Sequence, residues 1–249
     1  VLFRSPIYPA TMPQTQMASF MNTSSTSKPK IMYIPSCNNR IFADSNEKIN
    51  SHNAIARLLE YMGYQIIYPE KLDRICCGQV FDSDGNAKLG HDMKKSMNKL
   101  IHNSPYPVLL DNSSCVYNTL NHSNVSKPSS MVDIIEANLH RLKIKKRYAK
   151  LAVHIDCSSK KLRQDEQIIC LLKNFADELV IPHAINCCGF AGNKGFITPE
   201  LNQAALSTLA GQITNCDIGV TFNRNCQIGL SLHGQKTYVS LAELVLNCL

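Results

Sequence analysis

The stretch Leu151-Ala152-Val153-His154-Ile155 is followed at once by Asp156 and Cys157, and it shows the unit from which this chain is built. A short, mostly apolar run of this kind predicts a buried β-strand. The cysteine then lies just beyond the carboxyl end of the strand. The same order of an apolar run and a cysteine occurs at residues 31–34 and Cys37. The sequence therefore predicts that the unit is used twice.

Outward from these two strands, strand and helix patterns alternate along the chain. Further strands are predicted at residues 65–68, 108–110, 179–181 and 218–222, and helices at residues 54–62, 89–101, 131–142, 168–175, 198–213 and 241–246. Gly63 is expected to end the first helix, and Thr198-Pro199 to begin the fifth. Strands that alternate with helices indicate parallel sheets built from βαβ units.

We therefore expect an α/β fold made of two pseudo-repeated Rossmann-like halves with mainly parallel sheets. Residues 30–148 are predicted to form the first domain and residues 149–249 the second. Residues 1–29 are rich in Ser, Thr and Pro, contain no acidic residue and show no sustained periodicity, so a disordered tail or linker is predicted there.

The cysteines repeat independently of the strand pattern. The second Cys of each vicinal pair lies 38 positions before a single cysteine of its half: Cys77 before Cys115, and Cys188 before Cys226. Each of these cysteines follows a predicted strand, and the carboxyl ends of parallel strands meet at one edge of a sheet. The sequence thus predicts two sites of four thiols. Their members are Cys37, Cys76, Cys77 and Cys115 in the first half, and Cys157, Cys187, Cys188 and Cys226 in the second.

Vicinal cysteines favour some metal groups over others. Zinc sites usually use two cysteines separated by two to four residues. The side chains of adjacent cysteines diverge instead. They suit a polynuclear cluster, in which each thiolate can bind a different iron. The glycine after each pair lets backbone N–H groups approach the sulfurs. We expect iron–sulfur ligation, with zinc, vicinal disulfides or plain burial of small hydrophobic thiols as the alternatives. For Cys170, Cys216 and Cys248, plain packing is predicted.

Composition excludes several classes of protein. The 249 residues include 26 Lys or Arg and 19 Asp or Glu, a net charge of +7 that is compatible with an acidic partner or an anionic membrane surface. No apolar run is long enough to cross a bilayer, so we expect no transmembrane segment but allow peripheral membrane contact. Basic and aromatic residues are not interleaved in the sequence, so we expect no nucleic-acid partner. Eleven cysteines, an odd number, and the lack of a signal peptide favour a reducing compartment, the cytoplasm.

The residues around the cysteines resemble a known module, the cysteine-rich CCG domain. The resemblance covers residues 30–249 and rests on three phrases: Asp111-Asn112-Ser113-Ser114-Cys115, Cys187-Cys188-Gly189-Phe190-Ala191-Gly192 and Asn225-Cys226-Gln227-Ile228-Gly229-Leu230-Ser231-Leu232-His233. The module occurs twice in heterodisulfide reductase, in the iron–sulfur subunit of glycolate oxidase and in lactate-utilisation proteins. It also forms the C-terminal part of FAD-linked D-lactate dehydrogenases, which these phrases resemble most.

The resemblance implies an electron-transfer module of an FAD-linked 2-hydroxyacid dehydrogenase. One or two [4Fe-4S] clusters, cubane or non-cubane, would be held by the eight cysteines. FAD would lie on an upstream domain or a partner chain, and the acceptor would be a quinone or a cytochrome, with the protein peripheral to the inner membrane. A separate iron–sulfur subunit of a lactate- or glycolate-oxidising or heterodisulfide-reductase-like complex, and a non-catalytic scaffold stabilised by zinc or disulfides, are the alternatives.

The chain departs from the family at one position in each half. Well-understood members have a further Cys three residues after the single one, which gives five thiolates, whereas this chain has Asn118 and Gly229 there. His122 and His233 are conceivable replacement ligands, although surface or capping roles are the simpler interpretation. Arg40 and Arg224 lie close to repeat cysteines and either place a positive charge near a bound group or face solvent.

Overall fold

The computed structural model describes residues 27–42, 51–120 and 127–249. Within these ranges seven strands occur: β1 (Lys30–Ile34), β2 (Gln65–Ile67), β3 (Val108–Leu110), β4 (Tyr148–His154), β5 (Ala176–Val180), β6 (Ile218–Thr221) and β7 (Tyr238–Ser240). Most of the predicted tail and His122 lie outside the described residues.

The helices of the first half are α1 (Cys37–Ile41), α2 (Ser51–Tyr61), α3 (Gln79–Ser83), α4 (Ala87–His102), α5 (Ser113–Leu120) and α6 (Met131–Ala137). Those of the second half are α7 (Cys157–Lys161), α8 (Asp165–Leu172), α9 (Lys194–Ile197), α10 (Pro199–Ala205), α11 (Leu209–Gln212), α12 (Arg224–Gly234) and α13 (Leu241–Cys248). Short 3₁₀ turns lie at Leu72–Arg74 and Leu139–Arg141.

The strands form two parallel sheets of the same central order. The first sheet has the order β2-β1-β3, and the second has the order β5-β4-β6-β7. Each central strand, β1 or β4, is the one that precedes the first cysteine of its half. Register pairs Ile34 with Leu110 in the first sheet and His154 with Thr221 in the second. The expected α/β fold with parallel sheets is confirmed.

Several predicted boundaries differ from the structure. The predicted helix over residues 198–213 is two helices, α10 and α11, separated near Leu206. Gly63 does end α2 with a positive φ of 88°, and Pro199 is the first residue of α10, as predicted. The short helices α1, α5, α7 and α12 were not expected. They begin at or just before cysteines, where polar caps rather than apolar periodicity start the helix.

One hydrophobic core joins elements of both sheets. Helix α2 packs against α13, and the core contains Ile31 and Leu58 of the first half together with Val153 and Leu244 of the second. Two smaller clusters lie on the opposite faces of the sheets, and each contains thiols of its own half: Cys77 and Cys115, or Cys188 and Cys226. The predicted division of the chain into residues 30–148 and 149–249 stays a prediction. None of the described helices could cross a membrane.

Candidate functional site

The first thiol site forms where the three strands of the first sheet end. Cys37 begins α1, directly after Ser36, whose hydroxyl accepts a hydrogen bond from the Asn39 N–H at 3.3 Å. The thiols interact in series and shift one another's pKa values: Cys37 with Cys76, Cys76 with Cys77, and Cys77 with Cys115, which is on α5. The structure therefore brings together four thiols that are separated by as many as 78 positions in the chain.

The thiols of the first site differ in their affinity for protons. A hydrogen bond from Cys37, and then one from Cys77, lowers the pKa of Cys76 to about 3. The Gly78 N–H also donates to the Cys76 Sγ, at 3.4 Å. The contact with Cys76 raises the pKa of Cys37, and contacts with Cys115 and then with Cys76 raise the pKa of buried Cys77. The site favours one anionic sulfur supported by its neighbours, which is the form in which cysteine binds metals.

The second thiol site repeats this arrangement. Cys157 begins α7, Cys188 lies 2.9 Å from Cys226 between Sγ atoms, and Cys226 is on α12. A hydrogen bond from Cys157, and then one from Cys188, lowers the pKa of Cys187 to about 2. The Gly189 N–H donates to the Cys187 Sγ at 3.4 Å, which matches the role of Gly78. The eight predicted site residues thus form two groups of four.

The glycine after each pair has a backbone conformation that side chains disfavour. Gly78 has a φ of 83° and Gly189 a φ of 73°. A Cβ on Gly78 would meet the backbone oxygen of Gly90, and a Cβ on Gly189 would come within 2.6 Å of the Leu201 oxygen. Glycine is required on both grounds, because only a residue without a Cβ fits the turn and the close approach of the backbone.

A side-chain amide holds the backbone of the vicinal cysteine pair at each site. Asn118, three residues after Cys115, donates from Nδ2 to the Cys77 carbonyl at 2.7 Å. In the second half the equivalent bond, to the Cys188 carbonyl, comes from Asn202 on α10. A Cβ on Gly229 would lie 2.6 Å from the Asn202 Nδ2, so glycine there makes room for the amide. The carbonyl of the second Cys is held by a buried amide in each half.

Opposite charges lie beside the two sites. Arg40 donates to the Leu72 carbonyl and, at 2.6 Å, to the carbonyl of Ile75, the residue before Cys76. Asp156 is buried before Cys157 and accepts hydrogen bonds from the Ser113 and Ser159 hydroxyls at 2.7 and 2.8 Å. The positive charge of Arg40 therefore lies near the first site, as one of its two interpretations predicted, and a carboxylate lies near the second.

The other candidate residues have different surroundings. Arg224 is buried rather than facing solvent, and its Nε donates to the Phe42 carbonyl at 3.1 Å. Cys216 and Cys248 are buried, which confirms the packing prediction, but the prediction is wrong for Cys170, which is exposed. Cys170 lies beside the apolar stripe of α8 rather than on it, so its side chain faces away from the core.

The donor chemistry of both sites fits an iron–sulfur cluster. All eleven cysteines are free thiols, four meet at each site, and backbone N–H groups donate to two of the sulfurs. Four thiolates are the usual ligands of such a cluster, and N–H donors to sulfur accompany them. As the side chains are placed, no group of three or more His, Cys, Asp or Glu in the described part of the chain could hold a single metal ion, so the fit rests on the kind and number of the donors.

Comparisons with known proteins agree with part of this description. The search of curated proteins finds no match. Among solved structures, the crystal structure of allantoin racemase from Pseudomonas fluorescens matches with 11% identity and a TM-score of 0.33, covering 87% of this chain and 88% of that one. A similarity this weak carries no argument about activity. The family model of the cysteine-rich CCG domain matches residues 31–120, the segment that contains the whole first thiol site. Over residues 31–120, therefore, the chain is similar to a cysteine-rich domain of the CCG family.

Proposed function

We propose that the chain is the iron–sulfur electron-transfer module of an FAD-linked dehydrogenase of 2-hydroxyacids such as D-lactate. The observation that carries the proposal is the meeting of four thiols at each of two sites, one of them inside the CCG domain. The first site would hold its group through Cys37, Cys76, Cys77 and Cys115, and the second through Cys157, Cys187, Cys188 and Cys226. A bound cluster supplies single-electron transfer.

The protein's own residues would bind and tune that group. Cys76 and Cys187 have lowered pKa values and supply thiolates, while the N–H groups of Gly78 and Gly189 donate to their sulfurs. Hydrogen bonds to sulfur, burial and nearby charge set the reduction potential of such a group. Cys77, Cys115, Cys188 and Cys226 are buried, whereas Cys157 and Cys187 are exposed, so water reaches the second site through those two thiols.

The rest of the proposed reaction lies outside these residues. Oxidation of a 2-hydroxyacid to the 2-oxoacid releases two electrons and two protons, which a flavin on an upstream domain or a partner chain would accept. The chain would pass the electrons one at a time to a quinone or a cytochrome, in the cytoplasm and at the inner membrane surface. A separate iron–sulfur subunit of a lactate-, glycolate- or heterodisulfide-linked complex would use the same two sites.

Anaerobic purification tests the proposal against a zinc- or disulfide-stabilised scaffold. We expect iron and acid-labile sulfide with broad visible absorption. A colourless protein that contains zinc, or one without metal, would overturn the proposal. The complete reading frame distinguishes a module fused to a flavin domain from a separate subunit.

A cysteine variant tests the assignment of the second site. Cys187→Ser is expected to lower the iron content, by about half if each site holds one cluster, because a serine hydroxyl is a poor substitute for a thiolate. Cys170→Ser is the matched control, because Cys170 is also exposed but belongs to neither site. Equal iron content in the two variants would contradict the assignment.

A further inference from the structure

The strand residue below the first cysteine differs between the two sites. Ile34 ends β1 three residues before Cys37, and His154 ends β4 three residues before Cys157. In the sheet, Ile34 pairs with Leu110, so the first site has an apolar pair beneath it. His154 pairs with Thr221, so the second site has a polar pair at the same place.

His154 lies on the face of β4 that carries the second thiol site. Side chains alternate along a strand, and Ala152 packs in the cluster that contains Cys188 and Cys226, whereas Val153 packs in the opposite core. His154 therefore shares the face of Ala152, one step nearer the cysteines. The imidazole interacts electrostatically with Asp156, which caps α7, with Lys160 of α7 and, more weakly, with Cys187, which places it near the second thiol site.

The imidazole has unused hydrogen-bonding capacity at this position. His154 is 2% exposed, and its Nε2 has no hydrogen-bond partner. Burial lowers its pKa and favours the neutral ring, in which one nitrogen donates and the other accepts. The Thr221 hydroxyl is also buried without a partner, but Thr221 borders a small cavity of mixed polar and apolar lining where one water molecule fits. Of this pair, His154 is therefore the residue whose buried polar atom lacks any partner nearby among the described residues.

We propose that His154 donates a hydrogen bond from Nε2 to a sulfur atom of the metal–sulfur group held at the second site, and that the first site, with Ile34 at the equivalent strand position, has no such donor there. The inference rests on the proposed function, because a buried donor needs an acceptor and the inorganic sulfides of a cluster supply one. A single zinc ion brings no acceptor atom of its own. His154 is thus a positioning residue that distinguishes the two sites.

This hydrogen bond would shift the reduction potential of the second site in a definite direction. Reduction adds negative charge to the sulfurs and strengthens hydrogen bonds to them, so a donor stabilises the reduced form and raises the reduction potential. His154→Leu removes the donor at similar volume and leaves all eight site thiols in place. His154→Gln keeps an N–H donor of similar reach.

The test uses the full chain, purified anaerobically, with iron analysis and a redox titration followed by electron paramagnetic resonance. We expect His154→Leu to retain its iron while the midpoint of one signal moves to a more negative potential, and His154→Gln to stay near the unmodified midpoint. His233→Leu is the matched control. The sequence makes His233 a conceivable ligand, but it lies about two helical turns beyond Cys226 on α12, and no thiol affects its pKa, although its Nε2 is also without a partner. This variant should move neither signal.

The outcomes separate this inference from the proposed function. Absence of iron and sulfide from the unmodified chain overturns the proposed function. Iron in every variant with unchanged midpoints, or equal shifts in the Leu and Gln variants, overturns only the role of His154. If neither variant folds, pulsed resonance on the reduced, ¹⁵N-histidine-labelled native protein decides. A weak nitrogen coupling supports the hydrogen bond, and its absence contradicts it.

Discussion

Asn118 and Asn202 perform one task from two different places in the chain. Each donates its side-chain amide to the carbonyl of the second cysteine of a pair, and each is buried. Asn118 lies on the helix that carries Cys115, whereas Asn202 reaches its partner from α10 across the space that Gly229 leaves. Asn118 directly, and Gly229 by leaving space for Asn202, thus help to hold the backbone of the vicinal pairs.

Asn118→Leu should destabilise the protein by about 1–3 kcal/mol, because the Cys77 carbonyl loses its side-chain donor in a buried place. Urea unfolding followed by circular dichroism measures the change. Asn103→Leu is the control, since Asn103 is exposed at the end of α4 and a surface substitution changes stability by about 0.5 kcal/mol or less. Equal stability of the two variants would show that the amide does not hold the pair.

At this scale the sequence predicts thiols better than their neighbours. The eight site cysteines repeat at matched strand ends, so their grouping into two sets of four could be expected before the structure. Asn202 could not, because its role depends on how α10 packs against the Cys188 loop. His154 fits the pattern of an apolar strand, and its importance emerges only from strand register and from its unpartnered nitrogen.

Among the elements, the short helices that carry cysteines depend on caps. Helix α7 begins where the buried Asp156 carboxylate accepts hydrogen bonds from the Ser158 and Ser159 N–H groups, and α12 begins at Asn223, which accepts from the Asn225 N–H. Helix α7 is too short for periodicity to predict, and α12, although as long as α2, is interrupted by polar residues, whereas α2 and α4 were expected from their apolar stripes. Strand β7 has three residues and forms through pairing with β6.

The turn before α3 gives a prediction at the scale of the element. Gly78→Ala and Gly85→Ala both force alanine to a positive φ, near 83° and 81°, which costs about 1–2 kcal/mol. Only at Gly78 does the new Cβ also meet backbone, the Gly90 oxygen, whereas nothing lies within 4 Å at Gly85. Thermal unfolding should therefore show a larger loss for Gly78→Ala.

The Gly85 variant serves as the internal control for backbone strain. If the Gly78→Ala and Gly85→Ala proteins unfold at the same temperature, α3 and α4 can move apart without a loss of stability, which would contradict the prediction. Iron content adds a second measurement, because Gly78 also donates its N–H to Cys76. We expect the iron content to fall in Gly78→Ala and to stay unchanged in Gly85→Ala.

Over the whole molecule, the shared core was not anticipated from the sequence. The repeat predicts two halves but cannot show that α2 of one packs against α13 of the other, because residues of similar hydrophobicity could equally complete two separate cores. The structure instead has one cluster that includes Leu58 and Leu244, both fully buried. The parallel sheets themselves follow from the alternation of strands and helices.

Leu244→Ala should lower the free energy of unfolding by about 2–5 kcal/mol, the usual cost of a cavity in a packed core. Because the core is common, we expect a single unfolding transition by both circular dichroism and tyrosine fluorescence. Leu201→Ala is the control, since Leu201 is 47% exposed on α10. Two separate transitions would contradict a common core.

The bond between Ser113 and Asp156 has a further consequence. Ser113 begins the helix that carries Cys115, and Asp156 caps the helix that begins with Cys157, so a buried 2.7 Å contact joins the supports of both thiol groups. Together with the common core, it keeps the two groups at a constant separation. Tunnelling rates fall steeply with distance, so under the proposed function this fixed separation would set the rate of electron transfer between the two sites.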